Sequence, residues 1–207
     1  MTNGLVFSRL LVYTIGMSIL QDAIAAAVKT IQALAPLEPK LEQAAQLLRV
    51  CLTGGHKLLV CGNGGSAADG ADFSTEFTCR FVADRRPFPA INLAASESLV
   101  TATGNDYGFD EIFARQVRAF GKKGDVLVAI STSGNSRNIV RAVEEANARG
   151  LTTITLLGKS GGILRGCATV ELLVAQQTTA RIQEAHKFLL HVLCEMIEPA
   201  LQAAGDE

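Results

Sequence analysis

The chain has 207 residues, 48% of them hydrophobic, and a formal net charge of −1. That suits one domain with a full core, argues against disorder, and offers no basic block of the kind that binds nucleic acid. Five cysteines (Cys51, Cys61, Cys79, Cys167 and Cys194), odd in number and without a C-x-x-C pair, argue against a disulfide framework or a thiolate zinc site and point to reduced thiols in the cytoplasm.

In chain order, the first feature is an apolar run from Leu5 to Leu20 with Arg9 inside it. No positive charge precedes it, as a signal peptide would require, and it is too short and interrupted to span a membrane. Residues 1–17 are read as an N-terminal extension or as the product of a start that belongs at Met17. Residues 18–207 then form a single domain. Apolar residues at helical spacing predict a helix over Ile19–Ala35, broken by Pro36 and Pro39, and a second over Leu41–Leu52, ended by Gly54-Gly55.

From there strands and helices alternate. Short apolar runs predict strands at Lys57–Cys61, Ala90–Leu93, Asp125–Ile130, Thr152–Leu157 and Thr169–Val174. Helices are predicted at Ser66–Phe81, Ser96–Gly104, Phe109–Phe120, Ser136–Arg149 and Thr178–Gln202. Alternation of this kind implies right-handed crossovers and an α/β fold: a three-layer, doubly wound, five-stranded parallel sheet with N-terminal helices. Ligands of such sheets sit beyond the carboxyl ends of the strands.

Two loops fall at that edge. Cys61-Gly-Asn-Gly-Gly-Ser66 follows the first strand, and Ser131-Thr-Ser-Gly-Asn-Ser136 follows the third. Small residues let backbone approach a ligand, and free N–H groups at a helix start favour an anion. Ser131, Thr132, Ser133 and Ser136 place four hydroxyls within six residues, where a helix cap needs one. Neither loop matches a P-loop or a dinucleotide fingerprint, so no nucleotide cofactor is expected. The pattern suits a phosphorylated polyol.

Asp72 and Glu76, four residues apart, share a helix face and suit either proton transfer or a solvated acidic surface. On the last helix His186 and His191 are roughly 140° apart, so one ion cannot take both, whereas Gln183 and His191 differ by roughly 80°. For a lone His a surface or satisfied buried role is the bland alternative. Gly104-Asn-Asp-Tyr-Gly108 reads as a polar turn between helices, a turn former or a source of sugar contacts. Arg80, Arg85 and Arg86 either meet a phosphate or decorate a loop.

Taken together, Cys61-Gly-Asn-Gly-Gly-Ser66, the acidic helix ending Thr78-Cys-Arg-Phe81, Gly104-Asn-Asp-Tyr-Gly-Phe109, Ile130-Ser-Thr-Ser-Gly-Asn-Ser136 and Arg181-Ile-Gln-Glu-Ala-His186 resemble the phosphoheptose isomerases of the sugar isomerase (SIS) superfamily. The resemblance runs from about Leu20 to about Leu201 and implies a flavodoxin-like fold. It implies conversion of sedoheptulose 7-phosphate to D-glycero-D-manno-heptose 7-phosphate through a cis-enediol, the entry to the heptose of lipopolysaccharide. It also implies a homotetramer with sites between subunits. By position it implies a phosphate on Ser131, Thr132, Ser133 and Ser136. Sugar contacts fall to Asn63, Gly64, Gly65, Ser66, Arg80, Asn105, Asp106 and Gln183. Glu76 becomes the base and His191 its acid partner. A divalent ion, zinc in relatives, would take Asp72, Glu76, Gln183 and His191. Relatives commonly carry His where this chain has Asp72; the oxygen-rich set that results suits zinc less well and leaves open another ion or a site that works without metal. A non-enzymatic relative that associates with the bacterial replication initiator, and a SIS protein for another sugar phosphate, are the rival readings.

Overall fold

The computed structural model describes residues 18–204. The extension up to Met17, with most of the apolar run, and residues 205–207 lie outside them. Ser18 opens α1 (Ile19–Gln32) with a capping box: its hydroxyl accepts from the Gln21 N–H, and the Gln21 side chain accepts from the Ser18 N–H. Pro36 and Pro39 do not separate two helices by a loop, as expected. Pro36 lies in a single 3-10 turn (Ala35–Leu37) and Pro39 in the first turn of α2 (Glu38–Thr53), where a missing N–H has no partner to lose.

The alternating part follows as β1 (Leu58–Gly62), α3 (Gly65–Thr78), β2 (Ala90–Asn92), α4 (Glu97–Tyr107), α5 (Ala114–Phe120), β3 (Val126–Ser131), α6 (Arg137–Ala148), β4 (Thr152–Gly158), β5 (Val170–Val174) and α7 (Thr179–Ala203). Three boundaries differ from expectation. The third helix stops at Thr78, so Arg80 and Phe81 leave it. Gly104 to Tyr107 is not a turn but the end of α4, which closes at Gly108. The helix expected over Phe109–Phe120 is a 3-10 turn (Phe109–Glu111) followed by the seven-residue α5.

All strand pairs are parallel and the order is β2-β1-β3-β4-β5. This is the flavodoxin-like doubly wound order, whose direction reverses between β1 and β3. Alternate residues of a strand face opposite sides. Leu58, Val60, Val128, Ile130, Ile154 and Leu156 pack with Phe73 and Phe77 of α3 and Leu189 and Leu193 of α7. Leu59, Cys61, Leu127 and Ala129 pack with Ile112, Phe113 and Val117 and with Ile139 and Val143 of α6. Both faces are covered, which is why the central strands read as unbroken apolar runs.

Two buried polar clasps hold β1 beside β3. At the amino ends, the Asp125 carboxylate accepts from the Lys57 N–H (3.0 Å), the Lys122 N–H (2.7 Å) and the Lys57 ammonium (2.6 Å). Burial works against its charge, but these donors hold its carboxyl below the usual range. At the carboxyl ends, Asn63 and Asn138 exchange amide hydrogen bonds of 2.9 and 2.8 Å, and Asn138 Oδ1 also accepts from the Ile139 N–H. No helix among the described residues is long and apolar enough to cross a membrane.

His186 is fully buried, and its Nε2–H donates to the Leu157 carbonyl of β4 at 3.1 Å. Burial lowers its pKa to about 4. The satisfied buried role is therefore the one it takes, although its Nδ1 has no partner. A base with a depressed folded pKa binds its proton more readily when unfolded, so its contribution is lost as pH falls from about 6.5 toward about 4. Denaturant titrations should show about 3 kcal/mol of stability lost over that window, and His186→Asn should flatten that part of the slope. A second expectation concerns the clasp: Asn138→Leu should cost about 2 kcal/mol in the same titration, because it strips the Asn63 amide of its partner.

Candidate active site

The Ser131–Ser136 loop leaves β3 and enters α6 at the point where the sheet reverses. It is held from within and from behind. Ser131 Oγ accepts from the Gly134 N–H (3.0 Å) and Ser133 Oγ from the Asn135 N–H (3.2 Å). Asn135 Oδ1 accepts from the Ile163 N–H (2.9 Å), and the Gly134 carbonyl accepts from the Leu164 N–H (3.1 Å). Gly134 sits at φ 65°, and a Cβ there would strike the Gly161 carbonyl, so only glycine fits. Ser136 is the N-cap residue of α6, yet its side chain makes no capping bond. The capping explanation for this hydroxyl therefore fails, and it is left at the head of a twelve-residue helix, where an anion is favoured.

The Cys61–Ser66 loop leaves β1 next door and launches α3. Gly64 and Gly65 are exposed, whereas Ser66 is buried and Asn63, committed to Asn138, is half-buried. A Cβ on Gly65 would displace the Gln183 amide of α7, which rests on it. That contact is the first rung of a ladder between two helices running in the same direction. Farther along, the Lys187 ammonium pairs with Asp72 and lies 3.5 Å from Asp69. Glu76 then lies close enough to Cys194 for its charge to add to the rise that burial imposes on that thiol. Last, Arg85 donates to the carbonyls of Glu76 (2.6 Å) and Phe77 (3.2 Å), capping α3, while it bonds Glu198 of α7 at 3.2 Å.

Asp72 and Glu76 share one face of α3, as their spacing predicts, but meet different neighbours on α7. Gly65, Asp69, Asp72 and Glu76 recur at helical spacing along one stripe, turned about 100° from Phe73 and Phe77, which are core. The two phenylalanines pack edge to face with ring centroids 5.0 Å apart. On α7, Gln183, Lys187 and His191 form the matching stripe. His191 is half-buried, with its ring centroid 6.2 Å from that of Phe81. Burial pushes the Asp69 carboxyl up, against the pull of Lys187. Burial also opposes the charge on Lys187, but its bonds to Asp72 and Asp69 outweigh that and raise its pKa. Gly65, Ala68, Asp69, Gln183, Glu184 and Lys187 line an open depression of about 490 Å³.

Other expected contacts lie elsewhere in the chain. Asn105 and Asp106 are exposed on the last turn of α4, bonded to each other at 2.7 Å. Arg80 is exposed beyond α3 and donates to the Val82 carbonyl. Arg85 and Arg86 meet protein rather than an open loop: Arg85 is buried in the α3 cap, and Arg86 bonds the Ala204 carbonyl and stacks over Phe88. The residues set aside for metal are not gathered. Among the described residues no three of His, Cys, Asp and Glu come together as an ion would need, and Asp72 is taken by Lys187. The donor set as placed does not fit a divalent ion. Sequence reasoning passed over Asn138, Asp69 and Lys187. Lys187 was open to detection, since it stands one turn from both Gln183 and His191.

The chain is similar to known proteins over nearly its whole length. The SIS domain model matches residues 21–158. A phosphoheptose isomerase of Shewanella loihica is 45% identical over 192 residues, 91% of this chain and 98% of that protein. The solved phosphoheptose isomerase of Neisseria gonorrhoeae is 43% identical with a TM-score of 0.79, covering 86% of this chain and 99% of that one. That of Francisella tularensis is 41% identical with a TM-score of 0.80, covering 87% and 94%. A sheet reversing between two hydroxyl- and glycine-rich loops, with this degree of likeness on either side of it, places the chain in the phosphoheptose isomerase family of SIS-domain proteins.

Proposed function

We propose that the chain isomerises sedoheptulose 7-phosphate to D-glycero-D-manno-heptose 7-phosphate, in the supply of heptose for lipopolysaccharide. One observation carries this reading. The two ligand loops lie at the reversal of the sheet, and Glu76 of α3 lies within electrostatic reach of Cys194 of α7 while His191 of α7 lies within reach of Asp69 of α3. Phosphate rests on the Ser131–Ser136 loop at the head of α6. The sugar reaches across Gly64 and Gly65 toward α3.

The chemistry moves protons only. Glu76 removes a proton from C1 of the ketose, the C–H electron pair forms the C1=C2 bond, and the C2 oxygen takes a proton from the His191 imidazolium. The cis-enediol collapses when His191 takes the O1 proton, C1=O forms, and C2 takes back a proton from the Glu76 carboxylic acid. Nothing is gained or lost overall. Stabilising the enediolate oxygen is the main electrostatic demand.

The protein acts in the cytoplasm, a setting that suits its five free cysteines. It assembles as a homotetramer, for which exposed Ile19, Leu20, Ile24 and Val28 of α1 and Phe188 of α7 offer apolar surface. Asn105 and Asp106, which stand apart from the loops within one chain, would complete a neighbour's site.

Incubation with sedoheptulose 7-phosphate followed by NMR should show conversion, and Glu76→Gln should slow it about 10³-fold. Phosphate binding without turnover in the unaltered protein would favour a sensor or scaffold. Full activity in the variant would remove Glu76 from the role of base. Ser136→Ala should raise KM about tenfold while leaving thermal stability unchanged, because the hydroxyl makes no cap bond. An unchanged KM would leave the loop a helix start and nothing more.

A further inference from the structure

The α3–α7 seam holds a positive charge of its own. Lys187 lies one helical turn beyond Gln183, which rests on the first loop, and one turn before His191. Its ammonium pairs with Asp72 and stands 3.5 Å from Asp69. It is half-buried and lines the same depression as Gly65 of the first loop. Asp69 is buried, and its Oδ2 has no hydrogen-bond partner, so the cluster keeps a spare acceptor. The Asp72 side of the pair is exposed, but the Asp69 side is buried and ties the ammonium to the seam, on the line from the first loop to His191.

We propose that the Lys187 ammonium is the fixed cation of this site, standing where a divalent ion would otherwise be held, and that the isomerisation runs without metal. The inference rests on the isomerase reading above. Lys187 donates a hydrogen bond to the C2 oxygen while charge gathers there, and it keeps its proton throughout. Asp69 and Asp72 aim it. The arrangement gives the enediolate a preorganised donor in a partly water-excluded seam. It also explains why Asp72 in this position is not a ligand: its carboxylate is already neutralised, and a divalent ion would have to displace a bound ammonium and then lie beside it.

The test separates this proposal from the function itself. Protein purified without a histidine tag is assayed before and after chelation, and its metal content is measured by mass spectrometry. Turnover should be unchanged by chelation, with no stoichiometric metal. Lys187→Met should lower kcat about 10²-fold with little change in KM, and Lys187→Arg should restore part of it. The paired substitution Asp72→His with Lys187→Met should bind zinc in a calorimetric titration, where the unaltered protein does not; that readout needs no substrate. Tight zinc binding by the unaltered protein, or loss of its turnover on chelation, would overturn the proposal. So would full kcat in metal-free Lys187→Met. Absence of turnover in every sample would instead count against the isomerase reading and leave the zinc titration to decide the charge question.

Discussion

The placing of α3 governs everything else in the site. This helix leaves β1 where the sheet reverses and must satisfy two neighbours at once. Phe73 and Phe77 go under the sheet, while Gly65, Asp69, Asp72 and Glu76 face α7. The angular gap between the two stripes is what lets one helix serve both. The approach is closest at Gly65, where the Gln183 amide takes the space of a side chain. At the far end Arg85 fixes the exit by filling the last carbonyls of α3 and pairing with Glu198. Between these ends no freedom remains to shift Glu76 relative to α7 without breaking the core or the cap.

The two clasps across β1 and β3 act on the same constraint from the sheet side. Each is at least partly buried, so each is more than a tether: a slip of one strand would leave amides or a carboxylate unpaired. Asp125 fixes the amino ends, and Asn63 with Asn138 fixes the carboxyl ends where ligands bind. Asn63 thereby changes meaning. The sequence suggests a sugar contact, but its amide is spent on joining the loops. The Ser131–Ser136 loop is likewise fixed before any ligand arrives, with two of its hydroxyls engaged by its own backbone. Preorganisation of that kind is what an anion cradle needs, since donors that must reorganise stabilise less.

The layered sheet, its five strands and both loops were legible in the chain because they are written in local signals: apolar runs of strand length, and glycine and hydroxyl residues at strand ends. What escaped was set by distance. Pro39 looked like a breaker because propensity carries no information on whether a new helix starts there. The turn expected at Asn105 and Asp106 became helix because small and polar residues do not by themselves end one when Gly108 does so a few residues later. For Arg85 the sequence leaves open a phosphate contact or a loop decoration, and only the fold brings it to Glu198. Lys187 reads as an ordinary charged position on an amphipathic helix. Its spacing sets it one turn from Gln183 and from His191, but its pairing with Asp72 and Asp69 is seen only once α3 and α7 run side by side.

That pairing also bears on the charge balance of the seam. Three carboxylates, Asp69, Asp72 and Glu76, within two turns would repel an enediolate, the opposite of what the chemistry asks. One ammonium placed against two of them offsets part of that negative charge. Lys187 pairs with the first part of the stripe, and on the proposed mechanism Glu76, one turn farther along, is the carboxylate that takes a proton. A lysine does this with a compact charge and three donors, two of which can be spent on carboxylates while one remains for an oxygen of the substrate. The division of labour follows from the order along the helices: cation near the sugar-binding loop, base and acid beyond it. A divalent ion at the same place would draw Glu76 into its coordination sphere, so that the group asked to remove a proton would also be a ligand. On the proposed mechanism the two tasks fall to different side chains.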